Sequence, residues 1–181
     1  MKFMLLLVAA LGTLTPSKVT TSIIEKNALI EEEVRCLAEN IYFEARNESV
    51  MGQIAVAYVT LNRVFAKKHP NTICGVVKQG EYKESWKTRA TKDPNDAIFV
   101  PVKDRCQFSW YCDGKSDEIK DHYTYNQLYV LAEGLVASNF KTLLDITDGA
   151  LYYHADYVKP KWSRHFEKTV KIGRHIFYRR R

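Results

Sequence analysis

A chain of 181 residues, 46% hydrophobic and 27% charged, can bury one sizeable core and leaves little room for a second domain. Its formal net charge of +6 favours anionic partners such as a bacterial wall, nucleic acid or anionic lipid, without choosing among them. Five histidines with no His-Glu-x-x-His arrangement and four cysteines with no Cys-x-x-Cys pair argue against the familiar zinc patterns, so no metal and no cofactor is expected.

Residues 1–20 begin with one positive charge and run apolar to about Leu14, just before Pro16. That run is shorter than the ~20 residues a bilayer span needs and fits the apolar region of a secretory signal. No clean Ala-x-Ala precedes residue 20, which leaves both removal and retention as an anchor open. The segment is expected to meet the membrane only during export, and residues 21–181 to form one catalytic domain. An exported protein seldom meets nucleic acid, so the wall is the natural partner. An even number of cysteines behind such a signal suggests two disulfides. Cys106 and Cys112 flank a short loop. Cys36 opens the first helix, and Cys74 follows a second helix that would return antiparallel to that start. The expected pairs are Cys36–Cys74 and Cys106–Cys112.

Residues 21–30 read as a lead-in. The first helix is expected from about Ile30 to Arg46, with Glu31, Glu32 and Glu33 in its first turn. Val34, Leu37, Ala38, Ile41, Tyr42 and Ala45 recur at spacings of three and four and form its apolar stripe. Glu44 projects at the edge of that stripe. Apolar walls disfavour a charged carboxyl and raise its pKa, and a carboxyl still protonated near neutral pH can serve as a general acid. Asn47-Glu48-Ser49 breaks the helix, and Ser49 caps a second one over 50–67 that is apolar nearly all round and therefore central. A short helical turn is expected over 72–79. Residues 80–104, rich in Lys and carrying Pro94 and Pro101, read as an irregular, partly mobile insertion. A tight hairpin or loop follows over 105–114, then a third long helix over 122–140 and a strand over 149–154. A C-terminal hairpin pairs 169–172 with 175–178 around Gly173-Arg174. The sum is an α+β fold in which helices dominate.

Three segments together carry a family resemblance. They are Asn40 to Glu48 with Gly52 to Ala57 and Leu61-Asn-Arg63; Cys106-Gln-Phe-Ser-Trp-Tyr-Cys-Asp-Gly114; and Ala150 to Val158 with Trp162 and Ile172 to Tyr178. Over about residues 34–178 the chain resembles the SleB-like cell-wall hydrolase family, of the spore-cortex-lytic-enzyme type. Asn47 stands where that family usually has Gly, and Asn tolerates a left-handed backbone well enough to keep the turn. The resemblance implies a lysozyme-like helical core with a small β-hairpin lobe and cleavage of the glycan strand of peptidoglycan. It also implies that Glu44, the first Glu of Glu-Ala-Arg, is the catalytic acid.

A glycoside hydrolase normally uses two carboxylates, whereas a lytic transglycosylase needs one, which protonates the leaving oxygen and then takes the proton of the C6 hydroxyl. Glu48 and Asp113 are the candidates for a second carboxylate, with Asp117 a further acid after the aromatic loop. The expected role of Glu48 is support of Arg46 or of the next helix's N-terminal amides, and that of Asp113 is formation of a turn. The favoured reading is therefore a lytic transglycosylase cutting the MurNAc–GlcNAc bond, with a hydrolytic muramidase or an N-acetylmuramoyl-L-alanine amidase as alternatives. Gln107, Ser109, Trp110, Tyr153 and His154 are the candidate substrate-binding residues, since amide, hydroxyl and aromatic groups suit sugars. A cysteine peptidase built on Cys36 and His154 would need a free thiol, and a wall-binding module without activity would not need an acid beside an apolar stripe. The protein is expected to be exported, to periplasm, wall or medium, as a monomer, whether it belongs to a bacterium or to a phage.

Overall fold

A computed structural model describes residues 18–91, 94–138 and 144–181. Residues 1–17, which hold most of the signal-like segment, and the last expected turn of the third helix, 139–140, lie outside the described residues. Among the described residues no helix is long and apolar enough to cross a membrane.

The first helix, α1 (Lys18–Ala45), is longer than expected and takes in the supposed lead-in. Burial begins only at Val34, so the apolar periodicity marked where the helix meets the core, not where it starts. No Gly or Pro interrupts residues 18–45, and nothing in that stretch stops a helix. Glu31 to Glu33 therefore sit mid-helix. Glu33 accepts the amide of Ile73 at 2.5 Å and closes the start of α3 (Ile73–Val77), whose own cap, Thr72, accepts from Gly75. Leu37, Ala38 and Ile41 are fully buried against α2 (Val50–Phe65) and α5 (His122–Ala137). Each large apolar side chain so buried contributes roughly 1.5–3 kcal/mol. Ser49 caps α2 by accepting from Gly52, and Asp121 caps α5 by accepting from Thr124. Asn47 does not use the left-handed conformation: the non-glycine residues with positive φ among those described are Asp104 and Asp148. The chain turns instead through the Glu48 amide bonded to the Ala45 carbonyl at 2.9 Å.

Most of the described residues within 80–104 form secondary structure, where an irregular insertion was expected. Strands β1 (Gly80–Glu84) and β2 (Phe99–Cys106) pair antiparallel, with α4 (Trp86–Thr91) in the connection. Neither strand buries a face, so the alternation that betrays most strands is missing. The expected tight hairpin over 105–114 is the end of β2 followed by a 3-10 turn at Ser109–Cys112. A second sheet holds β3 (Tyr152–Ala155), β4 (Glu167–Ile172) and β5 (His175–Arg179) in the order β3-β5-β4, all antiparallel. The fold is thus α+β and mainly helical, with its strands divided between two small sheets. Disulfides join Cys36 to Cys74 and Cys106 to Cys112.

Candidate active site

The last turn of α1 carries Phe43 and Glu44 to the surface at the point where β3 passes. In the β3–β5 ladder Tyr153 opposes Phe177 and Ala155 opposes His175. Strand side chains alternate between faces, so Tyr153, Ala155, His175 and Phe177 look toward α1 while Tyr152, His154 and Tyr178 look away. Tyr153 donates its hydroxyl to Glu44 Oε2 at 2.8 Å. Burial pushes the Glu44 carboxyl above the ordinary carboxylate range, and the Tyr153 hydrogen bond and the nearby Arg63 charge hold that rise in check. The same burial, with Glu44 beside it, raises the Tyr153 phenol well above its usual value, so it stays a donor.

Arg63, which sequence reasoning passed over as part of a motif, lies beneath this pair. It is 4% exposed, donates Nε to the Leu151 carbonyl at 2.8 Å and sits over the Phe108 ring, 4.8 Å from its centroid. Its Nη1 has no hydrogen-bond partner among the described residues. A charged residue inside a helix otherwise apolar nearly all round was the available signal.

Glu44 opens on a depression of about 260 Å³ lined also by Phe43, Arg46, Glu48, Tyr157, Arg174 and His175. Phe43 and Arg46 are shared with a second depression of about 500 Å³ that holds Trp110, Asp113, Asp117 and Lys115. The two depressions adjoin at the end of α1, with Phe43 and Arg46 common to both linings. Trp110 stacks on Phe43, ring centroids 4.5 Å apart, and donates Nε1 to Asn40 Oδ1 at 2.9 Å. Asn40 is fully buried and donates in turn to Thr60, which fixes the indole to both central helices.

The other sequence candidates fall in different places. Glu48 lines the first depression, but its carboxylate accepts the Arg174 amide at 3.1 Å and braces the β4–β5 turn. Gly173 in that turn has φ +55°, and a Cβ there would collide with the Glu48 carboxylate. Asp113 lines the second depression. It accepts the Lys115 amide at 2.8 Å and pairs with its ammonium at 3.1 Å, and those contacts lower its pKa. Asp117, in the same depression, has its carboxyl raised by burial and by Asp113. Gln107 and Ser109 are exposed and line neither depression. His154 lies on the far face of β3, its Nε2 3.0 Å from the Tyr178 hydroxyl and its ring stacked on that tyrosine. His175, two residues before Phe177 and hence on the inward face, lines the Glu44 depression instead. Burial lowers its pKa, with Glu48 and Asp156 acting against that shift.

A buried acid held by a phenol at the edge of an open groove is an arrangement suited to delivering a proton to a bound polymer. The cell wall hydrolase family matches residues 47–178, and the chain belongs to it. It is 29% identical over 158 residues to the spore cortex-lytic enzyme of Bacillus cereus, covering 83% of this chain and 46% of that protein. The corresponding enzyme of Halalkalibacterium halodurans is 38% identical over 148 residues, 81% of this chain and 34% of its own. The chain therefore spans less than half the length of these relatives. Its fold is similar to the catalytic domain of the Bacillus cereus SleB protein, with TM-score 0.51 and 28% identity, covering 81% of this chain and 89% of that one. It is equally similar to the catalytic domain of the germination-specific lytic transglycosylase SleB from Bacillus anthracis, with TM-score 0.52 and 28% identity over 81% and 93%. The matched family stretch begins three residues after Glu44.

Proposed function

We propose that this protein cleaves the MurNAc–GlcNAc bond of peptidoglycan glycan strands as a lytic transglycosylase, outside the cytoplasmic membrane, with Glu44 as acid and then base. The carrying observation is the 2.8 Å hydrogen bond from Tyr153 to Glu44 Oε2 at the wall of the groove. That bond occupies one carboxyl oxygen and leaves Oε1 to hold the proton facing substrate. Raised by burial, the acid enters the reaction protonated. It gives its proton to the glycosidic oxygen as the bond to C1 breaks, and the GlcNAc-side hydroxyl departs. The C6 hydroxyl of the same muramoyl residue closes on C1 and returns its proton to Glu44, so no water is consumed and a 1,6-anhydro end is left. Tyr153 and the Arg63 charge stabilise the carboxylate between the two transfers. A single acid suffices, which agrees with the engagement of Glu48 by the Arg174 amide and of Asp113 by Lys115. The Bacillus anthracis relative is by name a lytic transglycosylase, the same reaction class.

The test is digestion of purified peptidoglycan followed by mass spectrometry of the soluble fragments. Anhydro-muramyl ends are expected from the wild type, and Glu44→Gln should lower their release by about 10²–10⁴-fold, the usual contribution of a general acid. Reducing MurNAc ends would identify a muramidase, and free stem peptides would replace glycan cleavage with amide cleavage.

A further inference from the structure

The β1–β2 hairpin has no part in the chemistry above, yet a series of rings runs out to it from the groove. Trp110, stacked on Phe43, meets Tyr111 edge-on with centroids 5.9 Å apart. The Tyr111 hydroxyl lies 3.2 Å from that of Tyr82, which donates its own proton to the Lys78 carbonyl at 2.8 Å. Tyr82 on β1 opposes Pro101 on β2, and two residues further along the same face Glu84 opposes Phe99. Tyr82 and Phe99 are thus diagonal neighbours on one side of the ribbon. They are 44% and 62% exposed. Trp110, Tyr111 and Phe43 also line a smaller hollow together with the polar groups of Glu39, Lys78 and Asp117.

Large aromatic faces left open on a two-stranded ribbon add nothing to a core, and contiguous exposed apolar surface marks a place where something binds. The ligand it suits is a chain whose units offer a flat apolar face and a rim of hydroxyls, and the series is continuous with a groove that takes such a polymer. We propose that Tyr82 and Phe99 hold a stretch of the same glycan strand beyond the sugars at Glu44, through stacking on their ring faces. The hairpin is then a second binding site that lengthens the grip on long strands. This inference rests on the glycan reading of the groove, and the two fail on different measurements.

The double variant Tyr82→Ala/Phe99→Ala alters two exposed side chains, and Phe99→Ser alone provides a milder change that leaves the Tyr82–Tyr111 contact intact. Co-sedimentation with insoluble peptidoglycan is measured with each change placed in the Glu44→Gln protein, so that binding is read without cutting. Binding is expected to weaken roughly tenfold for the double variant, as two lost ring contacts imply, and by less for Phe99→Ser. With Glu44 intact, KM for long strands should rise by a similar factor while cleavage of short soluble fragments stays unchanged. Equal retention and equal KM for wild type and double variant would overturn the inference. So would an equal loss with Trp86→Ala, because Trp86 is 71% exposed on the same lobe but outside the ring series. A wild type that cuts no glycan, long or short, would sink the glycan reading; weakened co-sedimentation of the double variant would still support a carbohydrate site on the hairpin.

Discussion

At Glu44 stability and the proposed activity depend on the same proton. The folded protein holds that proton more tightly than the unfolded chain, because burial raises the carboxyl pKa above its ordinary value. The stabilisation that protonation gives is fully present below the unfolded value and is lost as pH rises through the raised folded value. Above that range the native state carries a charge it disfavours. Glu44→Gln, expected to be impaired in cleavage, should therefore be the more stable protein at pH 8, by on the order of 1 kcal/mol as active-site replacements often are. Thermal melts of the two should converge toward pH 4, and a gap independent of pH would mean that the carboxyl is not held protonated. The position of Glu44 was legible from helical spacing, because its place beside Ile41 and Leu37 is set by the 3.6-residue repeat. Tyr153 could be paired with it only once the direction of β3 was known. His154 and His175 show the same dependence: alternation along a strand separates residues that look adjacent in sequence, and which parity faces inward is decided by the packing of the sheet on α1. Arg63 was hidden for another reason, since a basic residue near a helix end normally serves that end in solvent.

Among the elements, the β4–β5 turn matters most for the count of acids. Its conformation relies on Gly173 and on the Arg174 amide bonded to Glu48. Glu48→Gln keeps an acceptor and should cost well under about 1 kcal/mol, whereas Glu48→Ala leaves the amide to water and should lower stability by about 1 kcal/mol. Neither should reduce peptidoglycan cleavage by more than a few fold. Loss of activity by two or more powers of ten in Glu48→Gln, with an unchanged melting temperature, would make Glu48 the second carboxylate and the reaction hydrolytic. The helices α2 and α5 start where apolar periodicity and, for α2, the Ser49 cap indicate, while the Asp121 cap of α5 went unread in the sequence. Strands β1 and β2 were illegible because a ribbon without a buried face has no apolar alternation to read, and its pairing is carried by backbone hydrogen bonds that any sequence can make.

Across the whole molecule, α1 joins two regimes of stability in one rod. From Thr20 to Glu32 its residues are exposed, and from Val34 onward one side of it is sealed in the core, with Cys36 tethered to α3 just inside that boundary. A helix with little packing opens by fraying, whereas a packed one opens only with the domain. Native-state hydrogen exchange should accordingly divide α1. Amides before about residue 33 should exchange through local opening, with rates insensitive to low denaturant. Those from Leu37 to Ala45 should exchange only with global unfolding and follow its full denaturant dependence. Uniform protection along the helix would contradict this division. The Glu44 carboxyl, the proposed acid, then sits on the end that does not breathe, and its placement is as durable as the fold itself, however the outer turns of the same helix are bent, trimmed or joined to other chain.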